Sequence, residues 1–486
     1  MNDYAKSISG ITKVTAQAPF LTGKGVLTVV LDSGIDYRNR EFIDKNGNTR
    51  IVGIWDLAGN SEKTAPPEGY VQGSFYAKEQ IQQAIEENSY ELVPVIDRSG
   101  HGTAVTGVLA GTYGGIATES DILVIKLNSI TNELLTTSLM RGVDFAVKYA
   151  TAQNQPIVLN ISIGNNYGDH QGNSLLERFM DNAAEVGKTA IVVGSGNEGA
   201  AGGHMAGVLN QETNVMLSVA EYETTLMIQL WKFVKDSFRI KIISPGGETK
   251  AVENISITEP KNIELKLGNT TIFCYLGVPL PYQQQQEFLF QFLVQNGGYI
   301  ESGVWMLVLE PVSIVQGQYR FYLSGSAVRN SRTSFLRPTP DMTLTIPSTA
   351  QKVISVGAYD VAYQSYADFS GRGYVYRYED QSSLGAPDLI AAVKPDLAAP
   401  GVNITVPIPN GGYEEVSGTS FATPFVAGMS ALLMEWGIVR QNDPYLYGEK
   451  LKAFLTKNAR RLSAYTEYPN PQVGWGALYV EGSLPR

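Results

Sequence analysis

The chain has 486 residues, of which 43% are hydrophobic and 17% charged, a balance typical of folded globular proteins. Its formal net charge of −10 argues against a nucleic-acid-binding protein, because phosphate neutralisation needs a basic surface. The single cysteine, Cys274, excludes an intramolecular disulfide framework and a thiolate zinc finger. None of the three histidines opens a His-Glu-x-x-His pair, which excludes a zinc peptidase of that type.

No run of apolar residues approaches the roughly 18 that a membrane-spanning helix needs, so we expect no membrane span. Residues 1–20 lack a basic segment followed by an apolar one, so we expect no signal peptide in this chain. These features leave the cellular compartment open.

Short apolar runs alternate with helical patterns in the first part of the chain. The apolar runs are typical of buried strands and lie at Val26–Leu31, Ile122–Leu127, Ile157–Ile163 and Ile191–Val193. The helical patterns lie at Thr103–Ala110, Thr137–Tyr149 and Ser174–Val186, the last with Asn173 and Ser174 as candidate caps. This alternation predicts an α/β fold with a mostly parallel sheet and helices on both of its faces.

From about Met205 to Thr343 the helical periodicity fades, and runs rich in β-branched and aromatic residues replace it. Eight short strands are predicted there, at Val215–Glu221, Thr225–Phe233, Phe238–Ile243, Asn262–Leu267, Thr270–Tyr275, Glu287–Val294, Gly303–Leu309 and Gln318–Leu323. Turn sequences such as Pro245-Gly246-Gly247 separate them. The segment is therefore predicted to form a β-sandwich or jelly roll.

After Thr343 the first pattern resumes. A buried strand is predicted at Val353–Val356, and helices are predicted at Ser420–Trp436 and Pro444–Arg461.

The predicted organisation is one α/β domain with two insertions. Residues 1–204 and 344–486 form the two parts of this domain, and residues 205–343 form the β-rich insertion. A second insertion at about 44–97, rich in Gly, Pro, Glu and Gln, is predicted to lie on a surface loop, with one helical patch near Lys78–Glu87.

Three short segments place reactive side chains where catalysis can use them. Asp32 follows an apolar strand, at the sheet edge where ligands bind in α/β proteins. His101 stands between two glycines at the start of an apolar helix, and imidazole is a suitable general base near neutral pH. Ser420 lies at the start of another apolar helix, where free N–H groups favour developing negative charge. Taken singly, each of these residues also has a purely structural explanation. Asp32 is then a turn cap, His101 a loop histidine and Ser420 a helix cap.

Taken together, a buried carboxylate, a histidine and a helix-terminal serine are the parts of an activated serine nucleophile. Their order along the chain is Asp, His, Ser, which differs from the chymotrypsin and α/β-hydrolase orders and matches that of subtilisin.

The chain resembles the subtilases, the subtilisin-like serine proteases. The three family signatures match Asp-Ser-Gly-Ile-Asp at 32–36, His-Gly-Thr at 101–103 and Gly-Thr-Ser-x-Ala-x-Pro at 418–424. The resemblance extends over about residues 1–43, 98–203 and 343–486. It implies a subtilisin-like fold and a serine endopeptidase with an Asp32-His101-Ser420 triad.

Two further matches imply additional site residues. Gly194–Gly199 resembles the family segment whose asparagine donates to the oxyanion, which implies that role for Asn197. Asn160–Gly164 resembles the strand that lines the primary specificity pocket, which implies substrate binding by Ser162, Ile163 and Gly164.

The chain departs from the family pattern at several positions. Ala104 and Phe425 replace histidines that are common in the family, but neither position belongs to the triad. The connection Gly111–Gly115 lacks the Asn-rich loop that holds a structural calcium ion in subtilisins, although Glu41 occupies one family ligand position. We therefore expect no metal ion of this type and no cofactor.

Residues Tyr4–Thr28 resemble the start of a mature subtilase. The resemblance therefore implies two kinds of partner, a protein or peptide substrate and the protein's own cleaved propeptide.

The β-rich insertion and the segment Ile51–Asp56 resemble those of the Csp germination proteases, subtilases of clostridia that activate a spore-cortex hydrolase by cutting its propeptide. This resemblance implies a secreted or spore-associated protein. Some Csp relatives have lost triad residues, so a catalytically silent regulatory or binding protein is the alternative. An esterase is disfavoured because no Gly-x-Ser-x-Gly elbow surrounds Ser420.

Overall fold

The computed structural model describes residues 1–60, 64–127, 132–252, 259–281, 283–294, 297–377 and 390–480. These residues form two compact units. The first unit comprises Met1–Gly164, Leu175–Gly196 and Pro347–Arg486, and the second comprises Asn165–Ser174 and Asn197–Ile346. The 205–343 boundaries expected for the insertion therefore lie inside the second unit, which also takes up residues 165–174.

The first stretch of the chain supplies most of the first unit. Its helices are α1 (Asp3–Ile8), α2 (Ile11–Ala16), α3 (Lys78–Glu86), α4 (His101–Ala110), α5 (Asn132–Ala152) and α6 (Leu175–Ala184), with one 3₁₀ turn at Arg40–Phe42. Its strands are β1 (Leu27–Asp32), β2 (Ile51–Asp56), β3 (Ser74–Ala77), β4 (Asp121–Lys126), β5 (Ile157–Ile161) and β6 (Thr189–Gly194).

The second unit consists of short strands. They are β7 (His204–Val208), β8 (Thr213–Val219), β9 (Thr225–Phe233), β10 (Ser237–Ile243), β11 (Thr249–Val252), β12 (Lys261–Leu267), β13 (Thr270–Leu276), β14 (Gln285–Val294), β15 (Gly303–Ser313), β16 (Gln318–Leu323) and β17 (Ser334–Phe335).

The chain then returns to the first unit. The strands are β18 (Ile354–Asp360), β19 (Ser365–Tyr366), β20 (Tyr374–Arg377), β21 (Ile390–Lys394), β22 (Leu397–Pro400), β23 (Ile404–Pro407) and β24 (Tyr413–Val416). The helices are α7 (Thr419–Met434), which runs on into a π-helical turn at Glu435–Val439, and α8 (Gly448–Lys457).

A nine-stranded sheet forms the centre of the first unit, in the order β19-β18-β6-β5-β1-β4-β2-β3, with β22 also paired to β18. All neighbours are parallel except β2–β3 and β18–β19. Strands β1, β5 and β6 are buried along their whole length, as expected for a sheet covered on both faces. The predicted α/β fold with a mostly parallel sheet is confirmed.

Helices cover both faces of this sheet because successive strand side chains point to opposite sides. On one face, Val30 of β1 shares a core with residues of α4 and α7, including Val105 and Val426. On the other face, α5 approaches so closely that a Cβ on Gly142 would lie 2.8 Å from Leu31. The sheet and its two helical layers thereby position the carboxyl end of β1.

The segment at 44–97 is only partly the surface loop that its composition predicts. Strand β2 pairs with β4 in parallel, and β3 pairs with β2. Ile51, Ile54 and Trp55 are fully buried. The apolar residues of β2 are buried when this strand pairs with β4, so part of the insertion belongs to the core of the first unit. The prediction of a surface loop is wrong for β2 and β3.

Two antiparallel sheets make up the second unit. They have five strands (β11-β10-β15-β8-β17) and six strands (β12-β13-β14-β9-β16-β7), and both contribute to a single apolar core. Phe288, Phe290 and Phe292 of β14 point into it at every second position. The predicted β-sandwich is confirmed, and its jelly-roll connectivity stays a prediction.

One described helical stretch, Thr419–Val439, is long and apolar enough to cross a membrane. Within the molecule, 94% of its most apolar window is buried, because α7 packs against β5, β6 and β18. This burial is typical of a central core helix.

Candidate active site

Asp32 and His101 are joined by a hydrogen bond of 2.7 Å between Oδ1 and Nδ1. Asp32 is 1% exposed at the end of β1, and the N–H of Ser33 donates to the same oxygen. The carboxylate of Asp32 raises the pKa of His101, and burial opposes this shift. An acceptor at Nδ1 favours the tautomer in which Nε2 carries the lone pair that a general base needs.

Glycines allow the strand end and the helix start to approach this closely. A Cβ on Gly102 would lie 2.1 Å from the carbonyl oxygen of Gly34. Gly34 itself has a φ of 125°, a backbone conformation that residues other than glycine rarely adopt. The glycines that follow Asp32 and His101 in the sequence are therefore what lets the two side chains meet.

Asp97 is a positioning residue that the sequence analysis missed. One carboxylate oxygen accepts the hydroxyl of Ser33 at 2.8 Å and the N–H of Gly100 at 3.0 Å. The other oxygen accepts the N–H and the hydroxyl of Thr103 at 2.8 and 2.7 Å. Asp97 thus caps α4 and ties it to the loop after Asp32, and its charge also raises the pKa of His101. An aspartate four residues before a helix-opening histidine is the sequence signal that could have identified it.

Ser420 lies in the first turn of α7, next to the end of β5. Its hydroxyl donates to the carbonyl of Ser162 at 3.0 Å, and the hydroxyl of Ser162 donates back to the carbonyl of Ser420 at 2.9 Å. The ring of Phe421, the next residue, lies 5.7 Å from the His101 ring. The fold therefore gathers Asp32, His101, Ser162 and Ser420 at one edge of the sheet.

The remaining predicted site residues occupy two places. Ile163 and Gly164 follow β5 directly after Ser162 and are half-buried. Asn197 lies three residues after β6, at the position where the chain enters the second unit. Its role as an oxyanion donor stays a prediction.

The residues around Glu41 do not fit a calcium ion. One carboxylate oxygen of Glu41 already accepts the N–H groups of Tyr113 and Gly114, at 3.0 and 3.1 Å. The ammonium of Lys6 donates to the carbonyls of Gly114 and Gly115, at 2.7 and 3.0 Å. A lysine thus uses the loop oxygens that a cation would need. Among the described residues no group of three His, Cys, Asp or Glu side chains is placed to hold a metal ion.

The gathered groups have the chemistry of acyl transfer. A carboxylate-oriented imidazole can accept a proton, and a serine hydroxyl at a helix N-terminus can become a nucleophile stabilised by the helix dipole. Both lie at the carboxyl end of parallel strands, where α/β proteins bind ligands.

Comparison with known proteins identifies the class. The chain matches the Subtilase family over residues 23–276 and 327–476, and it belongs to this family. The fold, the Asp-His pair and the helix-opening serine are in accord with this membership.

Among solved structures, the chain is similar to the CspB protease of Clostridium perfringens, with 36% identity and a TM-score of 0.86. The match covers 98% of this chain and 95% of that one. It confirms the predicted resemblance to the Csp type.

Curated relatives include the minor extracellular protease Vpr of Bacillus subtilis (strain 168), 22% identical over 95% of this chain. The PII-type proteinase of Lactococcus lactis subsp. cremoris is 23% identical over 98% of it. The chain spans 52% of the length of Vpr and 26% of that of the PII-type proteinase.

Proposed function

We propose that the protein is a serine endopeptidase in which Ser420 is the nucleophile, His101 the general base and Asp32 the group that orients His101. The observation that carries this proposal is the 2.7 Å hydrogen bond between Asp32 and His101, which lies beside the helix that carries Ser420 in its first turn. Membership of the Subtilase family and the proteases among its relatives support it.

In the proposed reaction, Ser420 attacks the carbonyl carbon of the scissile peptide bond while its proton passes to Nε2 of His101. His101 then returns that proton to the leaving amine, and water repeats the cycle on the acyl-enzyme. Asp32 stabilises the imidazolium formed in between, which agrees with its effect on the pKa of His101. Before attack, the Ser420 hydroxyl must turn from the carbonyl of Ser162 towards His101, a rotation about one side-chain bond.

We assign the tetrahedral oxyanion to the side chain of Asn197 and the backbone N–H of Ser420. Donors of this kind act mainly in the transition state, and the loss of one typically costs about 10²–10³ in turnover. Ser162, Ile163 and Gly164 are proposed to line the pocket for the residue before the scissile bond, because they continue β5 past the point where Ser162 contacts Ser420.

For the substrate, we propose the propeptide of a proenzyme such as a spore-cortex hydrolase. The similarity to the CspB protease over nearly the whole of both chains supports this choice. Residues 205–343, a β-rich insertion with its own apolar core, are proposed to stabilise the protease or to bind a partner.

A fluorophosphonate probe tests the nucleophile directly. The wild-type protein should be labelled, Ser420→Ala should not, and the matched control Ser430→Ala should still be labelled. Ser430 lies in the same helix, and its hydroxyl donates to the carbonyl of Val426. Labelling of Ser420→Ala at the wild-type rate would contradict the assignment.

The same experiment separates the alternative, a catalytically silent subtilase that acts by binding. A folded wild-type protein that the probe does not label at all would favour that alternative. Cleavage of a peptide library by the wild type, absent in Ser420→Ala, would favour the endopeptidase.

A further inference from the structure

Two adjoining cavities lie in the first unit beside the residues that precede His101. The nearer one, of about 430 Å³, is lined by Ser99 and Gly100, which lead directly into His101. The farther one, of about 570 Å³, is lined by Arg38, Arg40, Asn88 and Tyr413, among others. Asp36 and Asn410 line both cavities, so the two adjoin each other on the side of the candidate active site where Ser99 and Gly100 lie.

Two arginines line the farther cavity without a carboxylate partner. Arg38 donates to the backbone and side-chain oxygens of Asn88 and lies 3.7 Å over the ring of Tyr90. Arg40 is exposed and donates to the hydroxyl of Tyr413. Within the described ranges, neither guanidinium lies within ion-pair distance of an Asp or Glu, and Nε of Arg38 is buried with no hydrogen-bond acceptor.

Two acidic groups lie near these arginines, and both carboxylates already accept other hydrogen bonds. Asp36 is 5% exposed, and its carboxylate accepts the N–H of Asn410 at 2.8 Å. Glu41 is fully buried, and its carboxylate accepts the hydroxyl of Tyr413 as well as two backbone N–H groups. The lining of the farther cavity therefore contains two guanidinium groups and one carboxylate, that of Asp36.

We propose that this cavity, termed the arginine cavity, binds an acidic side chain of the polypeptide substrate while the substrate chain runs through the nearer cavity to His101. This inference rests on the proposed endopeptidase function and adds to it a substrate class, polypeptides with Asp or Glu at a set distance from the scissile bond. Guanidinium groups suit this task because their planar set of donors matches a carboxylate.

Matched peptides test the proposal. A library should place Glu or Gln at each position on either side of one cleavable bond, and kcat/KM should be measured for each pair. The wild type should prefer Glu to Gln at one position by about tenfold, the effect of one charge-assisted hydrogen bond. The Arg38→Gln/Arg40→Gln variant should lose this preference and cleave the Gln peptide unchanged. No preference in the wild type, or an equal loss for both peptides in the variant, would overturn the proposal.

Controls keep the outcome interpretable. Arg337→Gln makes the same charge change at an exposed position of the second unit and should keep the preference. Arg40→Gln alone alters an exposed side chain, so it replaces the double variant in this test if the double variant does not fold.

If no peptide is cleaved, the endopeptidase proposal fails, but the cavity can still be tested by binding. Fluorescence anisotropy then measures the affinity of Ser420→Ala for the Glu and Gln peptides. Equal affinity for both peptides in that assay would overturn the proposal, and tighter binding of the Glu peptide would support it.

Discussion

The carbonyl of Ser420 accepts the hydroxyl of Ser162 because Pro424 cannot supply the hydrogen bond that a helix would normally make there. In an α-helix this carbonyl accepts the N–H of the residue four positions later, and proline has none. The freed oxygen instead accepts the Ser162 hydroxyl at 2.9 Å. The proline of the Gly-Thr-Ser-x-Ala-x-Pro motif thus links the start of α7 to the end of β5.

We expect Ser162→Ala to lower the free energy of unfolding by about 1–3 kcal/mol, because the Ser420 carbonyl is left without its donor. In a Pro424→Ala background the same substitution should cost less, since the N–H of the new alanine can bond to that carbonyl. The other hydrogen bond of Ser162, from the side chain of Asn160, is lost in both backgrounds and cancels. Denaturant unfolding of the wild type, the two single variants and the double variant measures this coupling, and equal costs in both backgrounds would contradict it.

Asp32→Asn should reduce kcat by about 10⁴-fold, because an amide favours the wrong tautomer of His101. It should also move the acid limb of the kcat/KM profile to lower pH. Asp32 raises the pKa of His101, and a general base acts only when neutral, so activity rises with pH through that pKa. Removing the negative charge lowers this pKa. A residual activity whose acid limb stayed in place or moved to higher pH would contradict the pairing.

Asn197→Ala should lower kcat by about 10²–10³-fold with little change in KM, because an oxyanion donor acts mainly in the transition state. Steady-state kinetics on a single peptide measures both constants. Asn197→Asp is a near-isosteric comparison that replaces a donor with a negative charge, and it should be at least as slow. A change confined to KM would show that Asn197 binds substrate instead.

Chelation of calcium should leave the melting temperature of the wild-type protein unchanged, because Lys6 donates to the two loop carbonyls that a cation would need. Lys6→Met should lower the free energy of unfolding by about 1–3 kcal/mol by leaving those carbonyls unpaired. Lys24→Met, at an exposed position, is the matched control. A large fall in the wild-type melting temperature with a chelator, reversed by added calcium, would show this prediction to be wrong.

The second unit should lose stability in mild acid. The ring of Tyr322 is stacked between the rings of His170 and His204, with centroids 3.9 and 4.5 Å away. Burial lowers the pKa of His170 to about 4 and that of His204 to about 3. Below a pH of about 6.5 the unfolded chain therefore binds protons at these two histidines that the folded chain does not. The contribution of the two histidines to stability falls as pH decreases and is constant above that value.

Each of these histidines should contribute about 1.4 kcal/mol per pH unit in this range. Denaturant unfolding of the wild type and of His204→Phe between pH 7 and pH 4.5 measures the slope. Phenylalanine keeps a ring beside Tyr322 and cannot be protonated, so the variant should have the shallower dependence. An identical slope in both proteins would contradict the assignment.

Local sequence patterns were sufficient to predict the elements that build the site. The short apolar run before Asp32 predicted a strand buried on both faces, and β1 is buried along its length. The long apolar run after Ser420 became α7, the central helix. Alternation of apolar residues around Phe288 and Phe290 likewise predicted strands of a two-sheet core. In each case the local distribution of apolar residues indicates which side chains must leave water.

Contacts between distant parts of the chain were decided by the tertiary structure. Asp97 carries no periodic signal, and it is the fold that brings its carboxylate to Ser33 as well as to Thr103. The ammonium of Lys6 reaches carbonyls more than a hundred residues away, and the arginine cavity joins residues near 40 to a hairpin near 410. Such polar contacts depend on which loops meet after the apolar core has packed. Because hydrogen bonds require specific distances and angles between residues far apart in the chain, the periodicity of hydrophobic residues does not predict them.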